Sequence, residues 1–286
     1  MKLHIVTLAT GVYNVYLDEL IDSIFKVLPE KLKGFELDVN VIADTDYVSP
    51  NEEYNKHITN YHIVNMPYPL IALHKFIYIY DMYIRNNYDP TEKFLFIDAD
   101  SVFISEANYD KIINDIMEYD LIFSISPWSC GPLNEGYWND ITNRENPKPT
   151  SVGYRPNPVR ENFIQTSFLV GNALSLKKLN NLVYKYASID LNSELTNRYL
   201  PEYVEQCYTN KILDEQLNNG NVLIHDCKIK ADKYIYNDYG ETYAYDHDRY
   251  IDLIINGYSD RTFVNQKIKQ HLKDSKRNST EYDSEV

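Results

Sequence analysis

Phe94-Leu95-Phe96-Ile97-Asp98-Ala99-Asp100, continued by Ser101-Val102-Phe103, is the stretch on which the fold turns. Four large apolar residues without alternation have the pattern of a β-strand covered on both faces. Such strands belong to sheets with helices packed on either side. The run stops at two aspartates separated by one small residue. Ligands of open α/β sheets bind outside the carboxyl ends of the strands, so this strand delivers Asp98 and Asp100 to a binding edge. Two carboxylates there would repel each other; a divalent cation removes that penalty and can bridge a diphosphate. The donors are hard oxygens, which selects Mn2+ or Mg2+. The same pair could simply close a turn. The apolar run before it and Val102-Phe103 after it favour a metal and nucleotide-sugar site.

Upstream, strand-like and helix-like segments alternate. Residues 3–9 are a short apolar, β-branched run, and residues 13–28 place Tyr13, Tyr16, Leu17, Leu20, Ile21, Ile24 and Phe25 at helical spacing. Phe35 to Ala43 alternates as a strand does, and His57 to Val64 is a weaker strand. Leu73, Phe76, Ile77, Tyr80 and Ile84 predict a helix over 70–84. This β-α-β-β-α-β order predicts a mostly parallel sheet with helices on its faces. Residues 126–160 are rich in Pro and Gly and have no period, as a functional or mobile loop would. Beyond them the pattern predicts a strand over 163–170, helices over 174–186 and 203–218, and strands over 222–225 and 229–236. We expect one catalytic domain over 1–262 and a charged tail over 263–286, the latter a lid or a frayed end.

The 286 residues, 44% of them hydrophobic, suffice for a core without disulfides or a structural metal. A net charge of -14 argues against nucleic acid or an anionic membrane as partner, since those need a basic face. The 3 cysteines (Cys130, Cys207, Cys227) are widely spaced, which fits a reducing compartment. No stretch approaches the roughly 18 apolar residues of a membrane span. The opening run is too short for a signal peptide and is followed by Tyr13-Asn14, so we expect a soluble, cytoplasmic protein.

Other residues invite a functional reading beside a plainer one. Asp214-Glu215-Gln216 closes a helical stretch, where adjacent acids often only face solvent. Lys75 interrupts an apolar helix face, either to snorkel or to meet an anionic diphosphate. Gln165, Thr166 and Ser167 are polar on a strand that should be half buried, which suggests a pocket wall. Tyr13 could pack in a groove or touch a ligand. His225 is a candidate third metal ligand, and Trp128 a candidate for stacking on an acceptor sugar.

Taken together, these blocks resemble glycosyltransferase family 6, the α-1,3-galactosyl- and N-acetylgalactosaminyltransferases that include the ABO blood-group enzymes. Thr7-Leu8-Ala9-Thr10-Gly11-Val12-Tyr13 is similar to the family's first strand, and Pro67-Tyr68-Pro69 with Lys75-Phe76 to its W-P-x-P segment and the following helix. Asp98-Ala99-Asp100 resembles its metal-binding DVD, Phe163 to Asn172 its donor-pocket strand, and Asp214-Glu215-Gln216 its H-D-E segment. Lys230 to Tyr236 is similar to the late L-S-P-E-Y-L-W block.

The blocks are collinear over about residues 3 to 238. The resemblance implies a GT-A-type α/β fold, with a mixed, largely parallel sheet flanked by helices. It implies a UDP-sugar donor held by Leu8, Ala9, Thr10, Tyr13, Lys75, Asp98, Ala99, Gln165, Thr166, Ser167 and Asp214. It also implies a metal on Asp98 and Asp100 and Glu215 as the catalytic carboxylate. The implied reaction moves galactose or N-acetylgalactosamine, with retention, onto a galactose-containing glycan acceptor. Val170-Gly171 keeps one of the family's paired glycines, Ile212-Leu213 replace Trp-His before Asp-Glu, and Ser126-Pro127-Trp128 lacks a histidine. A family 8-like transferase and a non-catalytic carbohydrate-binding relative are the alternatives.

Overall fold

The computed structural model describes residues 1–66, 70–103, 109–125, 152, 164–192, 204–219, 227–232, 235–237 and 254–256. They fall into two compact units. The first takes Met1–Asn65, Phe94–Asp115 and the chain from Lys233 onward, and the second takes Met66–Lys93 and Ile116–Asp232. Both have α/β architecture with flanking helices; the strand pairs of the first are mostly parallel, and those of the second are mixed.

The first unit is built on strands β1 (Lys2–Ala9), β2 (Glu36–Ala43), β3 (Ile58–His62) and β4 (Lys93–Asp98), in the order β3-β2-β1-β4. β1 pairs in parallel with β2, Lys2 opposite Glu36 through to Ala9 opposite Ala43, and β2 pairs in parallel with β3. Leu3, Ile5, Val6 and Ala9 are all buried, so β1 is covered on both faces. Phe94, Leu95, Phe96 and Ile97 are likewise 0–2% exposed, as their unbroken apolar run predicts.

The connection from β1 to β2 is a 3₁₀ turn (Gly11–Tyr16) followed by helix α1 (Leu17–Lys31). Leu17, Leu20, Ile21, Ile24, Val27 and Leu28 make its buried stripe. The helical spacing over 13–28 therefore resolves into two elements, and Tyr13, on the 3₁₀ turn, is 51% exposed rather than part of the stripe. A short helix α2 (Glu52–Asn55) precedes β3, capped by the Asn51 side chain accepting from the Glu53 amide. After Asp98 the chain turns into β5 (Ser101–Phe103), which joins a separate sheet, ordered β5-β10-β9, with β9 (Ile235–Asn237) and β10 (Ile254–Asn256).

The second unit holds β6 (Leu121–Ile125), β7 (Ile164–Asn172) and β8 (Ile229–Asp232), in the order β7-β6-β8. β7 is antiparallel and β8 parallel to β6. Helices α3 (Leu70–Asn86), α5 (Ala173–Asn192) and α6 (Val204–Asn219) pack on one another, and α6 lies on β7. The stretch 229–236, expected as one strand, is two: β8 and β9 belong to different sheets. The elements α4 (Asp110–Glu118) and β6 go beyond those the periodicity predicts. The strand expected over 222–225, the loop over 126–160 apart from a turn residue at Val152, and the tail over 263–286 lie outside the described residues. Among the described residues no helix is long and apolar enough to cross a membrane.

Gly171 is fixed by packing. A Cβ there would lie 2.8 Å from Leu121 Cδ2 and 2.9 Å from Leu176 Cγ, which real Cβ contacts do not reach. Gly171→Ala should therefore destabilise the protein by about 1–3 kcal/mol, the cost of overpacking a core. A urea midpoint unchanged from wild type would show that β6 and α5 yield freely at this point.

Candidate functional site

The first unit brings its polar groups to the carboxyl ends of β1, β2 and β4. His4, near the start of β1, stacks on Phe94, near the start of the neighbouring β4, with ring centroids 4.6 Å apart and 19° between planes. The starts of the two strands lie together, so the ends carrying Ala9-Thr10 and Asp98 share an edge. Asp98 ends β4, and Asp98 and Asp100 are half-buried on either side of Ala99, which is 2% exposed. Ala99 thus acts as a buried spacer between the two acids.

At the end of β1, Leu8 and Thr10 are half-buried and Ala9 is buried. Gly11 then adopts φ 56, the left-handed region that glycine reaches without steric cost. Its amide donates to Asp44 Oδ2 at 3.0 Å, and Asn14 Nδ2 donates to Asp44 Oδ1 at 2.8 Å. Asp44, immediately beyond β2, therefore shapes the turn that presents Tyr13. It was not among the expected site residues, although its signal was present: an acid directly after the apolar end of a strand, as Asp98 is.

Deeper in the same unit, His4 is fully buried and its Nδ1 lies 2.7 Å from Asp38 Oδ2. Burial alone would raise the Asp38 carboxyl. Hydrogen bonds from His4 and Asn40, with the charges of Lys2 and His4, instead hold it below the ordinary carboxylate value.

The second unit gathers the other candidates around β7, α3, α5 and α6. Against β6 the register of β7 jumps from Gln165 (opposite Ser124) to Leu169 (opposite Phe123). Three residues of β7, Thr166 to Phe168, thus fall within the single step from Phe123 to Ser124, an irregularity of the kind that re-aims side chains beside binding sites. Ser167 Oγ donates to Gln165 Oε1 at 3.1 Å, and Thr166 Oγ1 donates to Glu205 Oε1 at 2.9 Å. Lys75 is buried rather than snorkelling. Its Nζ donates to the Thr166 carbonyl at 3.2 Å and lies 3.4 Å from Glu205 Oε1. No local pattern in the sequence signals Glu205, because its partner Lys75 lies on a distant helix.

Asp214 is buried on α6, and Glu215, one residue on, is partly exposed. Tyr186 on α5 donates its hydroxyl to Glu215 Oε2, and Lys211 Nζ lies 3.3 Å from Glu215 Oε1. Burial, then the hydrogen bond to Glu215 and its charge, push the Tyr186 phenol up to about 12. Trp128, His225 and Pro67-Tyr68-Pro69 lie outside the described residues.

No protein-family model matches the chain, and none of the curated proteins matches it significantly. The chemistry of the residues present is therefore what bears on function.

Asp98 and Asp100 suit a hard divalent cation. Among the described residues no group of three or more His, Cys, Asp or Glu could hold an ion by protein ligands alone. A cation on this pair would be completed by water and phosphate oxygens, the usual mode for Mg2+.

Two outcomes follow from the second unit. Lys75→Met leaves the Glu205 carboxylate buried without its cation and should cost about 3–5 kcal/mol. Adding Glu205→Gln, which keeps an acceptor for Thr166, should recover a large part of that loss in denaturant midpoints. Equal losses in the single and double variants would show that the pair is not coupled.

The raised Tyr186 value predicts a high-pH effect. Its contribution to stability is fully present below the ordinary phenol value of 10.0 and is lost as pH rises through about 12. The stability difference between wild type and Tyr186→Phe, from urea midpoints, should shrink across that window. A pH-independent difference would sink the assignment.

Proposed function

We propose that this protein is a metal-dependent, retaining glycosyltransferase that moves galactose or N-acetylgalactosamine from a UDP-sugar to a galactose-containing glycan. The observation that carries this reading is the Asp98-Ala99-Asp100 turn, where a strand buried on both faces ends in two half-exposed carboxylates. Alongside it, the end of β1 and the turn shaped by Asp44 present backbone and the exposed Tyr13 ring. A flat aromatic ring suits a nucleobase, and paired acids suit a metal-bound diphosphate. The GT-A-type fold belongs to this proposal, as does the family 6 resemblance of residues 3 to 238.

In this reading Asp98 and Asp100 hold Mn2+ or Mg2+. When bound, the ion stabilises the negative charge that develops on the departing diphosphate. Leu8, Ala9, Thr10 and Tyr13 bind the nucleotide. The family 6 resemblance gives Gln165, Thr166 and Ser167 to the donor sugar, Asp214 to its hydroxyls, and Trp128 to the acceptor. Glu215 acts at the anomeric carbon, where the bond to UDP breaks with its electron pair leaving on the diphosphate. The acceptor oxygen then bonds the same carbon on the face that UDP vacates. Two carboxyl groups in distinct roles are the usual equipment for retention in glycosyl chemistry. Lys75 belongs to the buried pair with Glu205 and supports β7 from behind.

Release of UDP from UDP-galactose or UDP-N-acetylgalactosamine, with Mn2+ and a panel of β-galactosides, tests the activity directly. Asp100→Asn should weaken Mn2+-dependent UDP binding tenfold or more, about 1.4 kcal/mol, in isothermal titration calorimetry. UDP binding that is indifferent both to this substitution and to chelator would overturn the metal assignment.

A further inference from the structure

Glu215 stands near the carboxyl end of α6 beside a second acid, Asp214, and the last turn of that helix carries no basic residue. A helix C-terminus has partial negative charge, so it favours cations and opposes carboxylates. The nearest cation is also in the weaker order. Lys211 precedes Glu215 by one turn, whereas the more stabilising i,i+4 pair places glutamate first. The helix dipole therefore opposes a glutamate at 215, and the Lys211 pair offsets this only in part. Departures from local preference are expected where a site needs them.

What compensates the charge is specific. The Tyr186 hydroxyl, on α5, donates to Oε2, and Lys211 Nζ forms an ion pair 3.3 Å from Oε1, so each oxygen has its own polar neighbour. The side chain nevertheless stays 28% exposed. A carboxylate oxygen has two lone-pair sites, so both oxygens can still meet a ligand.

We infer that Tyr186 is a positioning residue which, with Lys211, holds the Glu215 carboxylate oriented for the chemical step. This rests on the glycosyl-transfer reading. Contacts from two helices, one to each oxygen, fix the plane of the group, which a single contact leaves free to rotate. The raised phenol keeps Tyr186 protonated, and so donating, throughout the neutral range. A clasp that only joined α5 to α6 would add stability and leave the chemistry untouched.

The test is a double-mutant cycle on turnover. UDP release from UDP-galactose with Mn2+ is measured for wild type, Tyr186→Phe, Glu215→Gln and the double variant, with a thermal unfolding midpoint for each. Tyr186→Phe should lower kcat about tenfold while the donor KM stays within about twofold, the mark of an interaction used in the transition state. In the Glu215→Gln background the same change should have no further effect, because residues acting as a unit are not additive. Lys211→Gln should act in the same direction.

Wild-type kcat in Tyr186→Phe, or an equal loss in both backgrounds, overturns the positioning role while leaving the transfer reading intact. A wild-type chain that releases UDP from neither donor overturns the transfer reading and this inference with it. Should Tyr186→Phe lose its cooperative unfolding transition, the cycle of Lys211→Gln with Glu215→Gln decides by the same criteria.

Discussion

The exclusion of water from both faces of Phe94–Ile97 is the constraint from which the rest of the first unit follows. Each large apolar side chain so buried contributes about 1.5–3 kcal/mol, so this short strand cannot slide or flip without large loss. Its neighbour β1 is subject to the same condition through Leu3, Ile5 and Val6. Two strands locked in this way fix where the chain first re-emerges, and polar chemistry can begin only there. Asp98, Asp100 and the turn after Ala9 occupy that place because the hydrophobic run has ended.

The interior contains polar groups too, and most of them are bound to one another. Lys75, Glu205 and Thr166 form one set, His4, Asp38 and Asn40 another, and Asp190 accepts from Tyr208 at 2.5 Å and from the Val152 amide at 2.9 Å. These groups are costly to bury singly and tolerable only in company. They give the fold its register, and most of their hydrogen-bonding capacity is committed within it, the buried Asn40 Oδ1 excepted. Glu215 differs in degree: it accepts from Tyr186, pairs with Lys211 and still meets solvent. That combination of restraint and access separates it from the structural acids around it.

The sequence made one part of this legible and not the other. β1, β4, α1 and α3 stand out because their patterns are local: an unbroken apolar run for a strand, or a stripe at helical spacing. The Asp98-Ala99-Asp100 turn is readable for the same reason. Lys75 shows the limit. Its place on an apolar face was visible, but what it meets depends on Glu205, far along the chain, and no window of neighbouring residues encodes that pairing. Tyr186 was hidden likewise, since a tyrosine in a helix is ordinary until another helix sets a carboxylate against it. α4 carries a readable signal of its own in Ile112, Ile113 and Ile116 at helical spacing, whereas β6 is too short to establish a period.

One feature of the topology bears on how the molecule is made. β5 lies beside β10, so residues 101–103 find their sheet partner only in residues 254–256. The first unit is thus discontinuous, with the second inserted in its sequence. On the ribosome the strands of the second unit emerge complete by Asp232, while the edge of β5 waits for more chain. An unpaired strand edge is a template for the wrong partner, and domains generally fold as units during synthesis. Residues 1–65, translated before the second unit, therefore belong to the unit that finishes later. A nascent chain halted before residue 254 would carry a closed second unit and an open first one.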